Sequence, residues 1–149
     1  MVNFHTSDPA PGAPPAQPTP VILADSSAWI DYLAGTDGRQ VRRLASAIAD
    51  GTVVVGDLIM TEVLRGIRSD AEFALVREAM TALPMVGMLG PERAVTAAQH
   101  YRSLRRRGVT VRKTADVVIA SYCITEGLAL LFTDRDFEPF VEHLGLMRA

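Results

Sequence analysis

"VILADSSAWIDYLAG" (residues 21–35) changes character at its fifth residue. Val21 to Ala24 is a short apolar run, as in a buried strand, and it ends on an acid, Asp25. From Ser26 onward the residues suit a helix, with serines available as caps and Gly35 at the end. A strand that leads straight into a helix is half of a parallel crossover unit.

The pattern recurs downstream. "RQVRRLASAIAD" reads as a second helix closed by Gly51, and β-branched "TVVV" (52–55) as a second strand. Asp57 can cap a helix over "LIMTEVLRGI", and amphipathic "DAEFALVREAMTAL" stops near Pro84. "MVGML" is a short strand candidate. "PERAVTAAQHYRSLRRRG" carries proline at its start and glycine after its end, the helical asymmetry. "KTADVVIASYCITEG" reads as a helix, "LALLF" as a strand, "TDRDFEPFVEHLG" as a turn with a short helix, and "LMRA" as a last edge strand. Strands alternating with helices predict an α/β fold: a central parallel sheet of about four to five strands, flanked by helices on both faces. Ligands of such sheets bind beyond the carboxyl ends of the strands, near the point where strand order reverses.

The chain has 149 residues, which suits one domain with one core. Residues 1–20 hold six prolines and little to bury. They are expected to be a disordered tail outside a domain spanning 21–149. No apolar run approaches a membrane span, and the N-terminus has no basic segment leading into an apolar one. Cys123 is the single cysteine, so neither an intrachain disulfide nor a cysteine zinc site is available. These features predict a cytoplasmic protein with no membrane partner.

Acids stand where acids are expensive. Asp25 follows the first strand; it is either a helix cap or, with Ser26 and Ser27 able to cap, free for other work. Glu62 shares the i, i+3, i+4 face of Ile59, Val63 and Gly66, which is otherwise apolar. The plain alternative is a rim residue paired with Arg65 or a neighbour. Asp116 lies on a stripe with Ile119, Ala120, Cys123 and Gly127. Proximity to a helix N-terminus explains an acid there but not its inward face, and Thr114 is the better cap. Asp134 follows "LALLF", and Asp136 comes two residues later as a turn or cap residue. In a parallel sheet these positions can converge. Carboxylates gathered in one place raise each other's pKa, and a divalent cation removes the conflict. Oxygen-only ligation favours Mg²⁺ or Mn²⁺ over Zn²⁺.

The cations are as uneven as the acids. The net charge is −2, yet Tyr101 to Lys113 holds Arg102, Arg105, Arg106, Arg107, Arg112 and Lys113 and no acid. Arg102, Arg105 and Arg106 are close together on a helix and suit an RNA backbone; a solvated basic face is the alternative. Arg112 suits a phosphate clamp or, equally, a salt bridge to a site carboxylate. Lys113 beside it is a further candidate for holding phosphate. A carboxylate-held dication with cations at its rim points to a metal-dependent nuclease. Cys123 is expected in the core, Trp29 in the core or a dimer surface, and His100 and His143 show no ligand spacing.

Four segments, "VILADSSAWIDYL", "GDLIMTEVLRG", "GVTVRKTADVVIASYC" and "LLFTDRDFEPF", cover nearly all of 21–149 in one order. In these the sequence resembles the PIN-domain ribonucleases, most closely the VapC-type toxins of bacterial toxin–antitoxin pairs. The resemblance implies an acidic quartet at Asp25, Glu62, Asp116 and Asp134, with Asp136 as an alternative fourth member. Ser27 matches a small hydroxyl near the metal. It also implies Mg²⁺- or Mn²⁺-dependent endonucleolytic cleavage of RNA in tRNA or rRNA loops, a homodimer, and a VapB-type antitoxin that blocks the site. Two rivals remain. "DRD" at 134–136 is spaced like the paired aspartates of haloacid-dehalogenase phosphatases, but that family places the pair after the first strand, where this chain has "DSS". The other rival is a non-catalytic PIN-type binding module.

Overall fold

A computed structural model describes residues 19–149. The proline-rich stretch therefore lies almost wholly outside the described residues. Five strands form one sheet: β1 (Ile22–Ala24), β2 (Val53–Gly56), β3 (Met85–Val86), β4 (Ala129–Leu131) and β5 (Met147–Arg148). Their order is β3-β2-β1-β4-β5, and every neighbouring pair is parallel. β1 is central and buried along its whole length, as its unbroken apolar sequence requires.

Helices α1 (Ser26–Leu33), α2 (Arg39–Asp50), α3 (Asp57–Arg65) and α4 (Asp70–Thr81) connect β1 to β2 and β2 to β3. Helices α5 (Pro91–Arg106) and α6 (Thr114–Glu126) carry the chain back to β4, and α7 (Glu138–Leu144) leads to β5. α1 packs on α2 and α3, α3 on α4, and α5 on both α6 and α7. Right-handed crossovers put these two groups on opposite faces, because the strand order advances in opposite directions from β1. The reversal falls between β1 and β4.

The core runs through both layers and includes Leu23, Leu44, Ile59, Met80, Leu104, Ile119, Phe137 and Phe140. Trp29 and Cys123 are part of it, as expected. Burial pushes the Cys123 thiol up to about 12, so it stays protonated. In α6 every residue from Asp116 to Cys123 is buried. The stripe expected on one face is thus a helix enclosed all round, covered by α5 on the side away from the sheet.

Several local expectations are corrected. The cap residue of α1 is Asp25, not a serine. α3 begins at Asp57, with Gly56 in the cap position. Asp57 Oδ1 instead accepts the amides of Leu58 (2.8 Å) and Met88 (3.0 Å), which ties the link after β3 to α3. Lys113, not Thr114, precedes the first turn of α6. Asp134 caps the 3₁₀ turn Arg135–Phe137, where Asp136 had been the candidate. "MVGML" contributes only Met85 and Val86 to the sheet.

Gly56 ends β2 against Met88. Its backbone is ordinary (φ −78°), so the constraint is space: an added Cβ would run into Met88 Sδ and lie 3.1 Å from Cγ and Cε. Met88 is buried in the core, so its side chain would have to shift to make room. Gly56→Ala is expected to lose about 1–3 kcal/mol in urea unfolding. The double variant Gly56→Ala/Met88→Ala should lose less than the sum of the two single losses. Simple additivity would show that the close approach is not the cause.

Candidate metal and catalytic site

Asp25 is the first residue beyond β1, and its amide donates to Leu131 O of β4 (2.9 Å). It therefore sits at the carboxyl edge, across the reversal point. Its side chain is buried and does not cap α1. Oδ2 accepts from Ser27 Oγ at 3.2 Å, and Ser27 Oγ is 3.5 Å from Thr133 Oγ1 at the end of β4. Two hydroxyls thus bridge the strands that flank the reversal.

Glu62 comes from α3, between the buried side chains of Ile59 and Val63. Its Oε1 is buried without a hydrogen-bond partner. Arg65 is near enough to act on it electrostatically but makes no ion pair with it within 4 Å, so the rim-pair alternative is not realised. Asp116 sits in the first turn of α6, which runs back across the sheet from the same edge. It is 5 % exposed, and its Oδ2 also lacks any partner. Leaving a carboxylate oxygen buried and unpaired costs several times what an ordinary hydrogen bond contributes.

Asp134 divides its oxygens. Oδ1 accepts the amide of Asp136 at 2.9 Å, and Oδ2 faces Lys113 Nζ at 3.7 Å. Asp116, Asp134 and Asp136 each offer an oxygen within 4.8 Å of the others. Asp25 and Glu62 lie outside that group of three; Asp25 is coupled to Asp116 and Asp134, and Glu62 to Asp25. Burial first, then the Asp25 charge, pushes Asp116 up to about 6; Lys113 opposes this, while Asp134 and Asp136 add to it. Burial also raises Asp25, offset in part by hydrogen bonds from Ser26 and Ser27 and reinforced by Asp134. Glu62 is raised by burial and by Asp25, against Arg65 and Lys113. Asp25 thus links the three clustered aspartates to Glu62 electrostatically. The donors are all oxygen, and two buried oxygens have no partner, so the residues fit a hard divalent cation.

The expected cations divide. Lys113 belongs to the cluster. Arg112 is exposed and lines a different feature, an apolar groove of about 450 Å³ between α5 and α6. Among the described residues it makes no ion pair with a site carboxylate within 4 Å. Arg102, Arg105 and Arg106 are exposed and line an open cleft of their own, with no site carboxylate in it. Thr133 was not singled out from sequence; its only signal is a hydroxyl placed just before Asp134, as Ser27 is placed just after Asp25.

This fold and this edge define a class. Residues 22–140 match the PIN domain, and the chain belongs to the PIN domain family. Within that family it is similar to the VapC ribonucleases. VapC ribonuclease Mb1587 of Mycobacterium bovis is 31% identical over 132 residues, covering 87% of this chain and 98% of that protein. Among solved structures, VapBC2 of Rickettsia felis, bound to a DNA fragment from its promoter, matches with TM-score 0.69. The identity is 12%, and the match covers 87% of this chain and 97% of that one. VapC20 of Mycobacterium tuberculosis, a sarcin-ricin loop cleaving toxin, matches with TM-score 0.56 at 19% identity over 78% of this chain and 92% of its own. The phosphatase alternative is set aside by the family match.

The electrostatic coupling has a thermodynamic consequence. Asp116 holds its proton more tightly folded than unfolded, where a carboxyl titrates near about 3.9. Its contribution to stability is fully present below that value and is lost as pH rises through about 6. Asp25 and Glu62 act in the same direction. In EDTA, Asp116→Asn should therefore raise the melting temperature at pH 8 and leave it nearly unchanged at pH 4. A variant that melts lower than the parent at pH 8 would contradict this electrostatic account.

Proposed function

We propose that the chain is a metal-dependent endoribonuclease, the toxin of a toxin–antitoxin pair that arrests translation until a VapB-type antitoxin binds it. The observation that carries the reading is the buried, unpartnered oxygen of Asp116 beside Asp134 and Asp136 at the sheet's reversal point. A binding module has no use for an uncompensated acid in that position. The names of relatives support RNA as substrate, and the loop cleaved by VapC20 supports a structured ribosomal or transfer RNA loop.

Asp116, Asp134 and Asp136, with Asp25, would hold Mg²⁺ or Mn²⁺; bound there, the ion neutralises phosphate charge and makes a bound water more acidic. Glu62 would act as a further ligand or orient the attacking water and take its proton, a role its raised pKa supports. Water oxygen bonds to phosphorus as one ester oxygen leaves. Ser27, hydrogen-bonded to Asp25 and close to Thr133, keeps that carboxylate oriented. Lys113 meets phosphate at the site, Arg112 holds the strand from the rim of the α5–α6 groove, and Arg102, Arg105 and Arg106 guide the backbone further out.

The unit that acts is taken as residues 21–149, supported by the start of β1 at Ile22. Among the described residues no helix is long and apolar enough to cross a membrane. A cytoplasmic location and a homodimer are part of the same proposal, as is an antitoxin whose partner segment binds DNA, supported by the VapBC–promoter complex.

Purified protein with Mg²⁺ or Mn²⁺ should create discrete new ends in total bacterial RNA, mapped by end sequencing, and EDTA should abolish them. Asp25→Asn and Asp116→Asn should each cut the rate at least about 100-fold, since even outer-shell partners of a metal site are worth 10–100-fold. Their circular dichroism should match the parent. Undiminished cleavage by either folded variant would remove the metal-site reading.

A further inference from the structure

Lys113 is the only lysine among fifteen Lys and Arg residues. It occupies the cap position of α6, so its backbone is fixed at the mouth of the carboxylate cluster while its stem remains 62% exposed. Its Nζ faces Asp134 Oδ2 at 3.7 Å. That oxygen is the one Asp134 has left, because Oδ1 accepts the Asp136 amide. Asp134 is also one of the three acids close enough to share an ion. The ammonium and a dication therefore contest the same carboxylate.

We infer that Lys113 is a built-in monovalent counterion of the acidic cluster, exchanged for the divalent ion when metal binds, and that its freed ammonium then engages an RNA phosphate. The inference rests on the metal-site reading above. The pairing is suited to exchange. At 3.7 Å it is an ion pair longer than a hydrogen bond, and exposed pairs of this kind contribute little. A flexible four-carbon stem with three donors can leave Asp134 and reach outward without moving α6. The guanidinium of Arg112 next door is a poor substitute. It faces the α5–α6 groove, and its planar fork would hold a carboxylate bidentately and release it reluctantly. Exchange also explains how the cluster tolerates its own charge before metal arrives: the Lys113 charge opposes the rise in both Glu62 and Asp116.

Having one lysine makes the test direct. Reductive ¹³C-methylation labels the Lys113 amine, with its charge kept, and the terminal amine, whose lower pKa separates the two NMR signals. Titration with Mg²⁺ should shift the Lys113 signal with the midpoint that calorimetry gives for Mg²⁺ binding. A short mixed-sequence single-stranded DNA should shift it again when Mg²⁺ is present and leave it in place when Mg²⁺ is absent. Lys113→Met should bind Mg²⁺ about two- to five-fold more tightly than the parent, the worth of an exposed ion pair. A Lys113 signal that stays still while Mg²⁺ binds overturns the exchange, as does equal or weaker Mg²⁺ binding by Lys113→Met. A DNA shift of the same size without Mg²⁺, or none with it, overturns the phosphate role. Absence of Mg²⁺ binding by parent and variant alike overturns the metal-site reading, and this inference with it.

Discussion

The architecture turns on a charge that cannot be left alone. Asp116 is 5 % exposed, inside a helix buried on every side, with one carboxylate oxygen that no donor meets. Such a group is tolerable only protonated or opposite a cation. The sheet order supplies the setting: β1 and β4 are neighbours, yet the chain leaves them in opposite directions, and the gap at their carboxyl ends is where Asp25 and Asp134 emerge. α3 and α6 bring Glu62 and Asp116 to the same gap from opposite faces. A fold stabilised by burying apolar strands thus stores unfavourable electrostatic energy at one place, and a dication releases it.

Much of this was legible in sequence. The inner strands were clear because "VILAD", "TVVV" and "LALLF" are unbroken apolar runs bounded by acids, glycine or turn residues. Strands β3 and β5 are two residues each, and "MVGML" overstated the first because Met88 leaves the sheet for Asp57 and Gly56. Glu62 was found by a sound rule, an acid on an apolar helical face. Asp116 was found by a rule that only partly applied. Its helix has no polar side through Cys123, so burial rather than a stripe makes the carboxylate anomalous.

What sequence could not separate were neighbours outside regular structure. Arg112 and Lys113 precede α6 in a stretch with no periodicity, so nothing in their order says which turns inward. The inward one is the lysine, and the arginine lines a groove between α5 and α6. Thr133 was invisible for a similar reason. A hydroxyl in a turn is ordinary, and only the approach of β4 to β1 brings it to Ser27.

Apart from Asp57, the mistaken caps lie at the site, and this has a physical cause. Ser26 and Ser27, Thr114 and Asp136 were reasonable caps, and each lies at the start of a helix on the carboxyl edge. Cap preferences assume that a terminal side chain serves only its own helix. At this edge the side chains have a second employer. Asp25 holds the cap position of α1 yet turns its carboxylate to Ser27, and Ser27, which might have capped, donates to Asp25. Asp134 caps with one oxygen and offers the other to a cation. By contrast α4, far from the cluster, is capped conventionally by Ser69 through the Glu72 amide. Where local rules hold, the helix starts only have to stop fraying. Where they fail, the side chains serve partners beyond their own helix: Asp57 ties α3 to the link after β3, while Asp25, Ser27 and Asp134 serve the carboxylate cluster, where Asp116 and Glu62 keep unpartnered oxygens.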